Sequence, residues 1–438
     1  MANSECQSDV GGLRDTLYRP MGKLLEALTE IIYSHPVCNE PFSGGFNEPP
    51  NMIKLHPIRV VPIVSDRISL KGVKMTENKR VYNFSAGPAV LPLPVLKKAQ
   101  EELLAFPGAG ASIMEVSHRS KTFEPIIEGA EANIRKLLNV PDNYSVLFLQ
   151  GGALLQFAMI PKNLLQGKKA DYIVSGSWSK KALSEAKLVG TATAIWDGKD
   201  SAYKRKPGTA ELKWNSDAAY AYICSNETIE GVQWQQYPDT GNVPLIVDSS
   251  SDIFSKSIDV SKFGLIYACA QKNCGPAGVT LVIVRNDLME RGAESLPSLL
   301  SYKKIAEAKS MLNTPPCFAI YIVKLVTDWL LNDIGGLEKM SAINKEKASL
   351  LYAAIDNSNG FYTGHADKEF RSTMNVPFRL PSEELDKKFQ DEAKAAGLTT
   401  LGGHRSVGGL RASIYNAMPR EGVAALCDFM TDFAKKNG

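Results

Sequence analysis

From Arg80 onward, short wholly apolar runs alternate with longer segments in which apolar residues recur every three or four positions. The short runs read as strands and the 3.6-period segments as helices. Strands are predicted at 145–149, 171–174, 191–196, 219–224, 243–247, 265–268 and 279–284. Several are apolar throughout, which suits a mainly parallel sheet with helices on both faces. Helices are predicted at 93–104, 122–138, 154–163 and 179–188, followed by a long apolar one at 317–332. Beyond Gly335-Gly336 come a helix at 342–355, a strand at 374–378 and helices at 383–396 and 421–435. The expected architecture is α/β: a large domain over 78–337 built on the seven-stranded sheet, then a smaller α+β domain over 338–438. Residues 78–92 are counted with the large domain but are placed to pack on the small one.

Residues 1–77 differ in texture. They carry Gly, Pro, Asn and Ser punctuation around 41–51 and one short amphipathic stretch at 24–32. The segment reads as an N-terminal extension, either disordered or preceding a native start at Met75. Organellar transit peptides are basic and poor in acids, whereas eight acidic side chains lie between Glu5 and Asp66. The expected compartment is the cytoplasm, with organellar targeting by this extension left open.

Composition narrows the function classes. With 438 residues, 44% of them hydrophobic, the chain is long enough for two substantial cores. Fifty Lys and Arg against 47 Asp and Glu leave a net charge of +3, so no strong field favours nucleic acid or an anionic membrane. Seven scattered cysteines give neither a disulfide framework nor zinc-site spacing, and no metal set is predicted. No apolar run approaches the length of a membrane helix.

Candidate chemistry gathers where apolar runs end. One run stops at Lys272, within Ala270-Gln271-Lys272-Asn273, and glycine and proline follow. Open α/β sheets bind ligands at strand carboxyl ends, and a lysine there can condense with a carbonyl. Asp248 ends another run; it either caps the next turn or faces a cationic ligand atom. In Gln150-Gly151-Gly152-Ala153-Leu154 a strand breaks at two glycines before a helix, as a tight turn or as a phosphate cradle. Trp178 and Thr228 also follow predicted strands. Each has two readings: core ring or cofactor stack for the indole, helix cap or cofactor contact for the threonine. His118-Arg119 and the glycine-rich stretch holding His404, Arg405 and Arg411 suggest a small substrate with two anionic ends.

With these residues go longer phrases: Asn83-Phe84-Ser85-Ala86-Gly87-Pro88, Met114-Glu115-Val116-Ser117-His118-Arg119, Asn226-Glu227-Thr228, Asn313-Thr314-Pro315-Pro316, Met374-Asn375-Val376-Pro377-Phe378 and Arg411-Ala412-Ser413-Ile414-Tyr415-Asn416. Through them the chain from about residue 80 onward resembles the class V pyridoxal-phosphate-dependent aminotransferases, in their phosphoserine-forming branch. The resemblance implies the fold-type I transferase architecture and pyridoxal 5′-phosphate as cofactor. It implies amino transfer from glutamate to 3-phosphohydroxypyruvate in serine biosynthesis, with 4-phosphohydroxythreonine a further substrate of the family. An alanine–glyoxylate type aminotransferase is the alternative within the class.

By the same resemblance Lys272 holds the cofactor aldehyde, Asp248 its ring nitrogen and Trp178 its face. Thr228 makes a further contact, and Gln271 with the backbone of Ala153 and Leu154 meets the phosphate. Asn313 and Thr314 reach that phosphate from the neighbouring subunit, which implies a homodimer with shared sites. Arg411 takes the substrate α-carboxylate, while His118, Arg119, His404 and Arg405 receive the distal anion. Cys269 stands where many relatives have glycine, and Leu154 brings no polar side chain.

Overall fold

A computed structural model describes residues 80–438 apart from Ala293 and Ser406. The extension 1–77, its amphipathic stretch at 24–32, and Cys6 and Cys38 lie outside the described residues.

The seven apolar runs form one seven-stranded sheet: β1 (Tyr144–Leu149), β2 (Ala170–Val174), β3 (Ala192–Asp197), β4 (Ala221–Cys224), β5 (Leu245–Asp248), β6 (Leu265–Cys269) and β7 (Thr280–Arg285). Their order is β1-β7-β6-β5-β4-β2-β3; β7 runs antiparallel to both neighbours, and the other pairings are parallel. Two strands, β4 and β5, start two residues later than their apolar runs. Pro244 has no N–H to give a ladder, so β5 begins at Leu245, and the Pro244 carbonyl instead accepts from Ala221 N–H at 2.9 Å.

Alternation along each strand divides its side chains between two cores. Val146, Phe148, Ile223, Val247, Ile266 and Ile283 face one, covered by helices α1 (Leu93–Glu102) and α2 (Glu124–Leu138) and by a long helix, Cys317–Trp329. Leu147, Tyr172, Tyr222, Ile246, Tyr267 and Val282 face the other, covered by α3 (Gly152–Leu164) and α4 (Ser177–Val189). Burial on both sides explains why these strands are apolar throughout; each buried Ile, Val or Leu contributes roughly 1.5–3 kcal/mol. The Cys317–Trp329 helix, α5, passes into a π turn over Leu330–Ile334 and stops at Gly335 in the left-handed region, φ +83°. Gly336 then opens α6 (Leu337–Asp356), which starts five residues before the periodic stretch suggested.

The C-terminal region has a core of its own, joined by Phe84 and Val90. Its antiparallel sheet runs β8 (Thr363–Gly364), β9 (Asn375–Arg379), β10 (Leu410–Ser413), flanked by α6, α7 (Glu383–Ala395) and α8 (Arg420–Asn437). Residues Tyr82–Asn83 pair in parallel with Leu398–Thr399. Phe389 anchors the core edge-on to Phe378, Phe429 and Phe433.

One buried lysine holds the loop after β10. Lys347 of α6 is fully buried, and its Nζ donates to the carbonyls of Tyr415 (2.5 Å), Met418 (3.0 Å) and Asn416 (3.2 Å), with the Ile414 carbonyl at 3.4 Å. Burial lowers the pKa of this amine to about 7, and its bonds steady Tyr415, which sits at φ +22°. Lys347→Met is expected to leave three carbonyls unpaired and lower unfolding free energy by about 3 kcal/mol or more, measured by chemical denaturation.

Candidate active site

The carboxyl ends of β4, β5 and β6 converge on a cavity of about 290 Å³. Larger hollows of about 1040 Å³ along α8 and 430 Å³ beside Arg80 and Leu93 have no acidic side chain in their walls, and one of about 340 Å³ beside α2, with Glu124, Glu128 and Glu131, has no indole. The smaller cavity combines an amine, a carboxylate and an indole.

Asp248 closes β5 and is buried. Register places it beside Cys224 of β4 and Tyr267 of β6. Asp248 Oδ2 accepts from the Tyr267 hydroxyl and Oδ1 from Ser250 N–H, each at 2.9 Å. The Tyr267 oxygen lies 2.8 Å from that of Tyr222, one pair further down the same face. The carboxylate is held by two donors, and a carboxylate can accept about four hydrogen bonds.

Lys272 follows β6 by three residues, and its Nζ stands 5.3 Å from the centre of the Trp178 ring. Burial alone would lower the ammonium pKa. The nearby Tyr415 oxygen and the Asp248 carboxylate outweigh it and hold Lys272 above the ordinary lysine value. The turn through Ala86 and Gly87 lies against this lysine: a Cβ on Gly87 would come within 3.6 Å of Lys272 Cγ. That turn is tied down by Ala89 N–H to the Gln271 carbonyl at 2.8 Å and by the Tyr415 hydroxyl to the Ala86 carbonyl at 2.6 Å.

Trp178 sits in the first turn of α4. Its Nε1 donates to Thr228 Oγ1 at 2.9 Å, and the Thr228 carbonyl accepts from Arg411 Nη1 at 3.1 Å. Thr228 therefore connects the cavity wall to β10. Arg411 stands with His404 and Arg405: burial, then the charges of Arg411 and Arg405, hold the His404 imidazole below its ordinary pKa.

The glycine turn supplies the last wall. Gly151 and Gly152 take φ +84° and +63°, and a Cβ on Gly151 would fall 2.6 Å from Leu155 Cδ2, so glycine is required there. At the start of α3 the Gly152 N–H donates to Thr280 Oγ1 (2.9 Å) and the Ala153 N–H to Cys269 Sγ (3.0 Å). Leu154 N–H lies in the same turn, which has no intrahelical acceptors, and the Leu154 side chain is half exposed.

Of the residues singled out in the sequence, Ala153, Leu154, Trp178, Asp248, Gln271 and Lys272 line this cavity; Thr228 and Arg411 adjoin it through hydrogen bonds. His118, Arg119, Asn313, Thr314, His404 and Arg405 do not line it. All of these but His118 and His404 are exposed; the His118 Nε2 atom is buried without a partner. Asn313 borders a separate hollow beside Gln150 and Leu155, and Gln150 Nε2 donates to the Thr314 carbonyl at 3.1 Å.

Sequence reading missed Cys224, Asn226, Ser250, Ser251 and Cys269 in the wall. Asn226 Nδ2 donates to Ser251 Oγ and Asn375 Oδ1, both at 2.8 Å, while its buried Oδ1 has no partner. The phrase Asn226-Glu227-Thr228 was a usable signal for Asn226, and its closeness to Lys272 one for Cys269. Burial raises the Cys269 thiol above its ordinary value, so it sits there as a neutral acceptor.

The family model for class-V aminotransferases matches residues 81–426. The phosphoserine aminotransferases of Rhodopirellula baltica and Desulfosudis oleivorans are each 55% identical to the chain, over 82% of it and 96% and 100% of their own lengths. Among solved structures, phosphoserine aminotransferase from Bacillus circulans subsp. alkalophilus matches with a TM-score of 0.80 and 50% identity, covering 82% of this chain and 99% of that one. The PLP-bound enzyme of that name from Trichomonas vaginalis gives 0.77 at 42% identity, with 80% and 100% covered.

Proposed function

The chain belongs to the class-V aminotransferase family, and from that premise we propose that it moves the amino group of glutamate to 3-phosphohydroxypyruvate, releasing 2-oxoglutarate and O-phospho-L-serine. The observation that carries this reading is the meeting of Lys272, Asp248 and Trp178 around one cavity, in a chain so similar to phosphoserine aminotransferases over their whole length.

The wall fits a flat, phosphorylated pyridine aldehyde, and pyridoxal 5′-phosphate is the proposed cofactor. Asp248 offers a fixed carboxylate to a ring N–H, Lys272 an amine to the aldehyde, Trp178 a stacking face, and Leu154 in the first turn of α3 a backbone N–H to the phosphate. When bound, that cofactor supplies a carbonyl for the amino group and a protonated ring that takes up electrons as the substrate Cα loses its proton. Asp248 keeps that ring proton in place. Lys272 Nζ takes the Cα proton and returns one. A cation set against Asp248 also weakens the attraction that keeps Lys272 protonated, which moves the amine towards a base usable near neutral pH.

Arg411 is proposed to hold the substrate α-carboxylate, since its guanidinium is already fixed beside Thr228. His118, Arg119, His404 and Arg405 are proposed for the distal phosphate. Exposure of Arg119, Asn313 and Thr314 away from the cavity supports completion of each site by a second copy of the chain. In this reading residues 78–337 form the large domain and 338–438 the smaller one that brings in Arg411. The described cysteines, Cys224, Cys269, Cys274, Cys317 and Cys427, are all free, which favours a reducing, cytoplasmic setting. No helix among the described residues is long and apolar enough to cross a membrane.

A half-reaction followed by cofactor absorbance tests the substrate. O-Phosphoserine is expected to react about 100-fold more efficiently than serine, because charge-assisted bonds to the phosphate are lost with serine. Equal efficiencies would refute the phosphorylated substrate.

A further inference from the structure

Behind the indole lies a buried acid that the proposed chemistry does not use. Glu227 is fully buried, one residue after Asn226 of the cavity wall and one before Thr228. Its Oε2 accepts from Trp178 N–H at 2.9 Å; its Oε1 accepts from Ser179 N–H at 3.0 Å and from the Ser179 hydroxyl at 2.5 Å. Glu230 stands beside it and takes the preceding residue: Glu230 Oε1 accepts from the N–H (2.9 Å) and hydroxyl (2.6 Å) of Ser177. Two carboxylates thus satisfy the first N–H groups of α4, at the positive end of its dipole.

The cradle is shaped for them. A Cβ at Gly176 would fall 2.6 Å from Glu227 Cδ and 2.7 Å from Glu230 Oε2, so any larger residue would push the acids away. Burial, and for Glu227 the neighbouring Glu230, push both carboxyls above their ordinary values; the buried amine of Lys206, which donates to the Cys224 carbonyl at 3.2 Å, works against that shift. From this anchor two lines of contact diverge. One runs through Trp178 to the space over Lys272; the other runs through the Thr228 carbonyl to Arg411.

We propose that Glu227 is a positioning residue that sets the cofactor-stacking indole of Trp178 and the substrate arginine Arg411 in one register, so that a single buried carboxylate governs affinity for both ligands. This rests on the transaminase reading above for the identity of the ligands. A residue that merely stabilised the fold would change the unfolding midpoint while leaving cofactor affinity and KM in the folded protein unchanged.

The test uses the full chain stripped of cofactor. Pyridoxal 5′-phosphate is titrated against intrinsic tryptophan fluorescence for the wild type, Glu227→Gln and Ser179→Ala, and steady-state kinetics with glutamate follow on the reloaded proteins. Glutamine turns one acceptor oxygen into an amide donor facing an N–H. Glu227→Gln is expected to bind the cofactor about tenfold more weakly and to raise KM for glutamate about tenfold, while kcat at saturation falls no more than about threefold. Ser179→Ala removes one of the bonds to Glu227 and is expected to shift both quantities about threefold in the same direction. Unchanged dissociation constant and KM in folded Glu227→Gln overturn the proposal, as does a change in one without the other. Should Glu227→Gln fail to fold, Ser179→Ala decides by the same criteria. A wild-type chain that binds the cofactor but does not accept glutamate defeats the transaminase reading, and the affinity comparison still decides the role of Glu227 towards Trp178.

Discussion

Lys272→Ala is expected to reduce turnover of glutamate with 3-phosphohydroxypyruvate by about 10⁴-fold or more. The substitution removes the amine proposed both to hold the aldehyde and to move the Cα proton, and general acid–base transfer by a placed side chain contributes about 10² to 10⁴-fold by itself. Asp248 and Trp178 keep their own anchors, to Tyr267 and Ser250 in one case and to Thr228 in the other. The variant should therefore fold and still take up some cofactor. Turnover and the visible absorbance lost on borohydride reduction check this together. Normal turnover, or a borohydride-sensitive band of wild-type intensity, would remove Lys272 from the chemistry.

Asp248→Asn carries the second largest expected effect. The amide retains an oxygen for Ser250 N–H and nearly the same volume, so packing around Tyr267 and Cys224 changes little. What disappears is the negative charge that would keep a ring nitrogen protonated. Loss of a preorganised electrostatic partner of this kind costs about 10² to 10³-fold in kcat. Stopped-flow measurement of the glutamate half-reaction is the check, with thermal unfolding beside it. A fall in kcat that merely follows a loss of folded protein would contradict the assignment; a fall at unchanged unfolding midpoint supports it.

The two variants probe groups of different origin. Lys272 and Asp248 were legible because each ends an apolar run, and a polar residue at the end of a buried strand is a local feature. Thr228 was legible as a residue of interest but not in its role: through Trp178 and Arg411 it joins positions 50 and 183 residues away. Glu227 carries no such signal, because an acidic residue between two polar ones looks like an exposed turn. A short hairpin, Asn226–Glu227 with Val232–Gln233, folds it inward instead. Cys269 stands out in the sequence as a departure from many relatives; its contact with the Ala153 N–H depends on β6 lying across from the start of α3.

The seven strands, the helices that cover them and the polar residues at strand ends can be read from local pattern. Those features follow from periodicity and from where apolar runs stop, and both act over a few residues. Which strand ends are neighbours, with β5 between β4 and β6, is set by the folded sheet. The tertiary structure alone sets Tyr267 on Asp248, Glu227 beneath Trp178, and Asn313 and Thr314 outside the cavity of their own chain. Such contacts join residues far apart in the chain, and sheet order and the packing of side chains between layers select them.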